Sequence, residues 1–245
     1  MALAEGPFRV NSRGEWPGPL TLRRGWARAE ARPWNDAEPS ASLRLVRGGS
    51  GFLEACAGRL CQYGVPSVLS PPLPSGARKT WEAAGFSDYL ELTLMRLSLD
   101  EQPSPPDHLV VETDDIPLES LLCIDQAAFT TFWRFDEHGL REAIDATGSS
   151  TVLLIRDADG GAAGFAIVGF GTAISYLQRV AVHPKWQGQG MGRSLLRVAA
   201  RKARASGARV MLLNTQLDNI PALRLYEREG FVPLPEPLSL LRSRG

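Results

Sequence analysis

Apolar and polar positions alternate with two different periods along the second half of this chain, and the switches between them outline its elements. Leu109-Val110-Val111 is a short strand after a proline-rich stretch, and Leu118 to Phe129 has the three-and-four spacing of a helix. A second helix is expected over Asp136 to Ala146, with Asp136 as its N-cap. Thr151 to Ile155 and Gly164 to Phe170 read as two strands joined by a hairpin turn at Asp157-Ala158-Asp159-Gly160-Gly161. Ile174 to Val182 is a third strand, which His183-Pro184 ends because proline cannot donate a ladder hydrogen bond. Leu195, Leu196, Val198 and Ala199 form the apolar stripe of a further helix. A strand over Val210 to Thr215 follows, then a helix capped by Asp218 or Asn219 with Pro221 in its first turn. Gly230 closes that helix, Phe231 packs back, and a last strand is expected near Leu238 to Leu241. The order is β-α-α-β-β-β-α-β-α plus a terminal strand, a mixed α/β fold.

The first hundred residues are harder to read and begin without an obvious strand. Phe52 to Tyr63 reads as a helix, Pro66 to Leu69 as a strand, Ala77 to Ala84 as a helix and Tyr89 to Leu99 as a long strand. Trp81-Glu82-Ala83-Ala84-Gly85-Phe86 repeats the spacing of Tyr226-Glu227-Arg228-Glu229-Gly230-Phe231. The first half therefore reads as a partial, degenerate copy of the second, in which Trp81 lacks a hydroxyl to donate. The expected division is 1–100 for this copy, 101–107 for a linker rich in proline, and 108–245 for the intact domain.

Chemistry enters at Gln187-Gly188-Gln189-Gly190-Met191-Gly192. Glycines let backbone N–H groups turn toward a ligand, and the helix that follows adds unpaired donors and the positive end of its dipole. Together these suit a diphosphate. A dinucleotide fingerprint would need a glycine where Arg193 stands, and a P-loop would need a lysine after Gly192. The pattern left is Gln-x-x-Gly-x-Gly, which an ordinary strand-to-helix turn would also satisfy. Asn219 and Tyr226 on a later helix add an amide and a phenol that could serve that ligand, whereas Tyr226 alone reads better as a core tyrosine.

With both motifs present, the chain resembles the Gcn5-related N-acetyltransferases, most closely their ribosomal-protein alanine N-acetyltransferase branch, over residues 107–245. The resemblance implies a central mixed, mostly antiparallel sheet flanked by helices, with a second, degenerate domain of the same kind before it. It implies transfer of an acetyl group from acetyl-CoA to a primary amine by direct attack in a ternary complex. Val180, Ala181 and Val182 would line the pantetheine arm, Gln187, Gly188, Gln189, Gly190, Met191, Gly192 and Arg193 would hold the pyrophosphate, and Asn219 would bind the pantetheine end. Tyr226 would protonate the leaving thiolate. The general base departs from the family: Asn214 and Tyr176 stand at the two positions where relatives carry glutamate. The amine could arrive deprotonated, a water chain could take its proton, or Asp125, Asp136, Glu137 or Asp218 could serve. The resemblance also puts Phe132, Trp133 and Arg134, with Asn214, in the acceptor pocket, where aromatics around one arginine suit an apolar body bearing a carboxylate or phosphate. A catalytically weak acyl-CoA-binding module is the other reading.

Charge excludes little beyond this. The 27 basic and 27 acidic side chains balance, so no nucleic-acid partner is expected. Arg193, Arg197, Arg201, Lys202 and Arg204 crowd one helix, where most would be solvated and one or two could meet phosphates. No apolar run has transmembrane length, no signal-peptide core is present, and three cysteines without metal spacing read as reduced thiols. A cytoplasmic monomer or homodimer with no metal is expected.

Overall fold

The computed structural model describes residues 10–244 apart from 114 and 116. Along the chain come β1 (Asn11–Arg13), β2 (Leu20–Arg24), β3 (Ala27–Pro33), β4 (Ala41–Arg47), α1 (Ser50–Gln62), β5 (Ser67–Leu69), α2 (Ser75–Glu82) and β6 (Ser87–Ser98). Then follow β7 (Val110–Thr113), α3 (Leu118–Ala128), α4 (Glu137–Asp145), β8 (Ser149–Arg156), β9 (Ala162–Phe170), β10 (Ile174–Val182), α5 (Met191–Ala205), β11 (Val210–Gln216), α6 (Ile220–Arg228), β12 (Val232–Pro233) and β13 (Leu238–Arg244). The chain packs as two compact units, residues 1–92 with 236–245, and residues 93–235.

This division differs from the expected one at both ends. The last strand, β13, pairs antiparallel with β5 and with the start of β6. Leu240 and Leu241 are fully buried, and Leu241 sits in the first unit's core, so burial draws the C-terminus there. Residues 101–107, read as a linker, are bound onto α5 of the second unit, as described below.

In the first unit β1 to β4 run antiparallel, β4 pairs parallel with β5, and α1 makes the crossover. These four early strands are the part the sequence pattern missed. In β3 the inward positions are Ala27, Ala29 and Ala31 and the outward ones Arg28, Glu30 and Arg32. That is strict period-two alternation, but written in alanine and charged residues, which are depleted in strands.

In the second unit β7, β8, β9 and β10 are antiparallel neighbours and β10 runs parallel to β11. Val152 to Ile155 are all buried because the sheet is covered on both faces. Leu153, Ile155, Ala166 and Val168 face the cluster that contains Leu195 and Leu196 of α5. Val152, Leu154, Phe165 and Ile167 face Leu121, Ile124 and Leu140 of α3 and α4. The expected order of elements holds throughout this unit, including Asp136 as N-cap of α4, where its Oδ1 accepts from the Gly139 N–H at 2.7 Å.

Candidate functional site

The site is built where β10 leaves its parallel neighbour. β11 pairs with β10 only at Ile174, Ser175 and Tyr176. Beyond a bulge between Leu177 and Arg179, β10 continues through Val180, Ala181 and Val182 with β9 as its ladder partner. Among the described residues one edge of that stretch is therefore without a strand. Tyr176, the last paired residue, and Asn214, two residues past its partner Leu212, are both solvent-exposed at the point of divergence.

Val182 leads through His183 and a single 3-10 turn, Pro184–Trp186, into the glycine loop. The Gln187 side-chain amide donates to the Val182 carbonyl at 2.9 Å and so braces the loop against the strand end. Gly188 and Gly190 have φ of +77° and +83°, a region that other residues rarely adopt. Gly190 is the N-cap of α5 and supplies no side-chain bond to the first-turn N–H groups. A Cβ at Gly190 would stand 3.3 Å from the Arg193 guanidinium and 3.5 Å from the His108 ring, so the missing side chain keeps a cradle open at the helix start. An anion fits that cradle, since first-turn N–H groups and the dipole both favour negative charge.

The arginines of α5 are committed elsewhere. Arg193 pairs with Asp107 at 2.8 Å, Arg197 forks onto Glu229 at 2.7 and 3.0 Å, and Lys202 pairs with Glu112. Arg201 donates to the Pro103 carbonyl and Arg204 to that of Leu99, at 2.8 and 2.9 Å. The buried Ser194 hydroxyl accepts from the Asp107 and His108 N–H groups, each at 3.1 Å. His108 Nε2 lies 2.8 Å from the Gln189 carbonyl oxygen. The expected solvated face thus holds residues 99–108 along the helix, and that segment reaches the glycine loop.

Asn219 is the N-cap of α6, its Oδ1 accepting from the Ala222 N–H at 3.3 Å while its amide donates to Gln216. Tyr226 is 6% exposed and shares a cluster with Val180, Val182, Met191 and Leu195. Burial pushes its phenol up to about 12, against a smaller opposing pull from the charge of Arg179. The hydroxyl therefore keeps its proton across the neutral range.

Arg179 is the residue the sequence reading missed. The aromatic cluster does gather around an arginine, but its guanidinium is that of Arg179, which lies 3.5 Å over the Phe129 ring and 3.9 Å over Phe135. It forks onto Asp125 at 2.6 and 2.8 Å and donates to the Trp133 carbonyl at 2.8 Å. Asp125, fully buried, also accepts from the Phe135 N–H at 2.7 Å. Such a pair is strongly held because breaking it strands a buried charge. With both oxygens engaged, Asp125 is not free to take an amine proton, and two other carboxylates proposed for that task are also occupied. Asp136 caps α4, and Glu137 pairs with Arg141 at 2.7 Å on the surface. Asp218 is exposed beside Asn219. Phe132 and Trp133 meet edge to face at 4.8 Å, and Arg134 is half-buried in the same turn. The signal for Arg179 lay in its being the one charged residue of β10.

A mixed α/β domain whose diverging strand feeds an uncapped, glycine-led helix defines a class of anion-cradling folds, and comparison narrows it. Residues 118–231 match the acetyltransferase (GNAT) family model. A putative [ribosomal protein bS18]-alanine N-acetyltransferase of Bacillus subtilis (strain 168) is 29% identical over 112 residues, 45% of this chain and 71% of that protein. The mycothiol acetyltransferase of Saccharomonospora viridis is 29% identical over 186 residues, 64% of this chain, and the match spans only 58% of that relative. A solved tandem GNAT protein from the clavulanic acid biosynthesis pathway superposes with a TM-score of 0.59 at 18% identity, covering 92% of this chain and 82% of its own, a likeness in fold that includes the two-domain arrangement. Among the described residues no helix is long and apolar enough to cross a membrane. Cys56, Cys61 and Cys123 are free thiols.

Proposed function

We propose that the second unit transfers an acetyl group from acetyl-CoA to a primary amine by direct attack in a ternary complex. The observation that carries this reading is the open edge of β10 from Arg179 to Val182, directly ahead of the glycine loop and the uncapped start of α5. An extended pantetheine arm can lie along that edge as an added strand, with Val180, Ala181 and Val182 offering backbone groups to it and to the thioester oxygen. Gly188 to Arg193 would hold the pyrophosphate, with Gln187 bracing the loop. Asn219, which caps α6, and Asn214 and Tyr176 at the divergence would border the reacting groups, and Phe132, Trp133 and Arg134 would wall the acceptor.

The amine lone pair forms the new C–N bond and the C–S bond breaks. The thiolate takes a hydrogen bond and then a proton from Tyr226, and the excess proton on nitrogen leaves to water, from which the phenolate regains one. A water route suits a site in which Asp125 is fully hydrogen-bonded and the family's glutamates are Asn214 and Tyr176. We also read the first unit as a degenerate copy of this domain with a structural role.

Thermal unfolding with acetyl-CoA, free CoA and NAD tests the cofactor. Acetyl-CoA at about a hundred times its dissociation constant adds about 2.7 kcal/mol, which moves the midpoint by several degrees. No shift at saturating concentrations removes the reading. Tyr226→Phe then tests the chemistry, with turnover expected to fall by roughly 10²-fold while acetyl-CoA binding survives. Binding without turnover on any amine would favour the second reading, a catalytically weak acyl-CoA-binding module, for which the replaced glutamates and the engaged Asp125 speak.

A further inference from the structure

The outer face of the first unit's sheet carries more arginine than its carboxylates can pair. Arg23 on β2 stands directly opposite Arg28 on β3, with Asn11 beyond Arg23 and Arg47 beyond Arg28. In the neighbouring row Arg13, Thr21, Glu30 and Arg44 line up in the same way. Leu20, Leu22, Ala29 and Leu43 point into the core, so the alternate positions point out. Like charges set opposite one another across a ladder destabilise it. Glu30 is the one acid in these rows, and it is already bonded to Arg28 at 2.7 Å and to Arg44. Among the described residues Arg13, Arg23 and Arg47 form no ion pair, and Nε of Arg28 is buried without a partner. Arg13, Arg23 and Arg28, with Asn11 and Thr21, line a concavity of about 560 Å³. That is within the size range of small-molecule sites.

We propose that this concavity binds a small ligand carrying two or more phosphoryl groups. Neighbouring strands lie about 4.8 Å apart and alternate residues on one face about 6.8 Å apart, so the three arginines root close enough for their long side chains to converge on one compact polyanion. The guanidinium forks of Arg13 and Arg23 can each take two phosphate oxygens, while Arg28, held by Glu30, adds its positive charge. The ligand's charge relieves the repulsion between Arg23 and Arg28, which a neutral or cationic ligand would leave in place. The three-residue β1 on one side and Glu30 on the other bound the site, which favours a compact ligand over a long polymer.

Calorimetric titration of the full chain with tripolyphosphate, in saturating acetyl-CoA, reads this site apart from the glycine loop. The expected result is saturable binding weakened by added salt, and weakened about tenfold or more by each of Arg13→Gln and Arg23→Gln. Both variants should keep the acetyl-CoA-induced thermal shift. Arg23→Gln should hold or raise the unfolding midpoint, because Arg28 loses a facing like charge, so lost binding cannot be lost folding. Tripolyphosphate binding unchanged in the double variant, or none in the parent chain, overturns the proposal. So does a short single-stranded RNA that binds this face and is not displaced by tripolyphosphate, which would make it a nucleic-acid surface. If acetyl-CoA does not bind, the transferase reading fails, while the arginine variants still decide this one.

Discussion

The two units repeat one strand–helix–strand–helix plan and differ in what surrounds it. In each, a parallel pair is zipped only at its start: β4 with β5 at Ala41 and Ser42, β10 with β11 at Ile174 to Tyr176. In each, the second helix ends on a glycine in the left-handed region and a phenylalanine whose N–H returns to the aromatic residue's carbonyl. Phe86 bonds Trp81 at 3.1 Å and Phe231 bonds Tyr226 at 2.9 Å. The first unit crosses from β4 to α1 through Gly48 and Gly49 alone, whereas the second inserts residues 183–190 between β10 and α5. It also inserts α3 and α4 between its first two strands, and these cover the face that the first unit leaves to arginines. A backbone divergence alone therefore does not make an acyl-donor site. The long glycine loop, the phenol in place of an indole and the added helices distinguish the unit we read as active.

The largest expected effect falls on the ion pair between β10 and α3, one of the helices added in the second unit. Asp125→Asn leaves the Arg179 guanidinium, about a tenth exposed and clamped between two rings, without its charge partner. Breaking such a pair costs about 3–5 kcal/mol. Denaturant unfolding followed in the second unit should register that loss, with little change in the first. Arg179→Lys keeps the charge but not the fork, so it should cost less stability than Asp125→Asn. A fully stable Asp125→Asn would mean that the rings alone hold the acceptor wall.

Alkaline pH should reverse the ranking of the units. Burial pushes the Cys56 thiol in the first unit, and the Tyr226 phenol in the second, each up to about 12. Both folded values lie above the unfolded ones, so the stability from each is complete below the unfolded value and is lost as pH climbs toward the folded one. The window opens near pH 9 for Cys56 and near pH 10 for Tyr226. At about pH 11 the loss from Cys56 exceeds that from Tyr226, because its unfolded value lies lower while the two folded values are alike. Unfolding against pH should therefore show the first unit weakening earlier, and Cys56→Ala should remove that early limb while leaving the Tyr226 limb in place. Equal alkaline sensitivity of parent and Cys56→Ala chains would count against thiol burial as the cause.

How much of this was legible in sequence follows from which interactions are local. The glycine loop, the Asp136 and Asn219 caps and the Trp81–Phe86 echo are written in contiguous residues, and backbone chemistry alone reads them. The Arg179–Asp125 clamp joins β10 to α3, and nothing in either segment names the other, so Asp125 stood among the candidate bases and Arg179 went unread. The arginine face is hidden in the same way, because only strand register brings Arg13, Arg23 and Arg28 together in a chain whose net charge is zero. Strand β3 escaped because alanine alternates with charged residues where valine and threonine would announce a sheet.

The smallest effect separates the two helix starts themselves. Gly49 caps α1 at φ −119° and ψ −174°, an extended conformation open to any residue, and no atom lies within 4 Å of the place a Cβ would take. Gly49→Ser should add a hydroxyl acceptor for the first-turn N–H groups and stabilise the first unit by roughly a few tenths of a kcal/mol. Gly190 caps α5 at φ +83°, where an L side chain costs about 1–2 kcal/mol and its Cβ would crowd Arg193 and His108. The same serine there should therefore destabilise the second unit and also abolish the acetyl-CoA-induced thermal shift. A Gly190→Ser chain that keeps the full shift would show that the cradle at α5 does not hold the cofactor's phosphates, and the difference between the two helix starts would then be one of backbone strain alone.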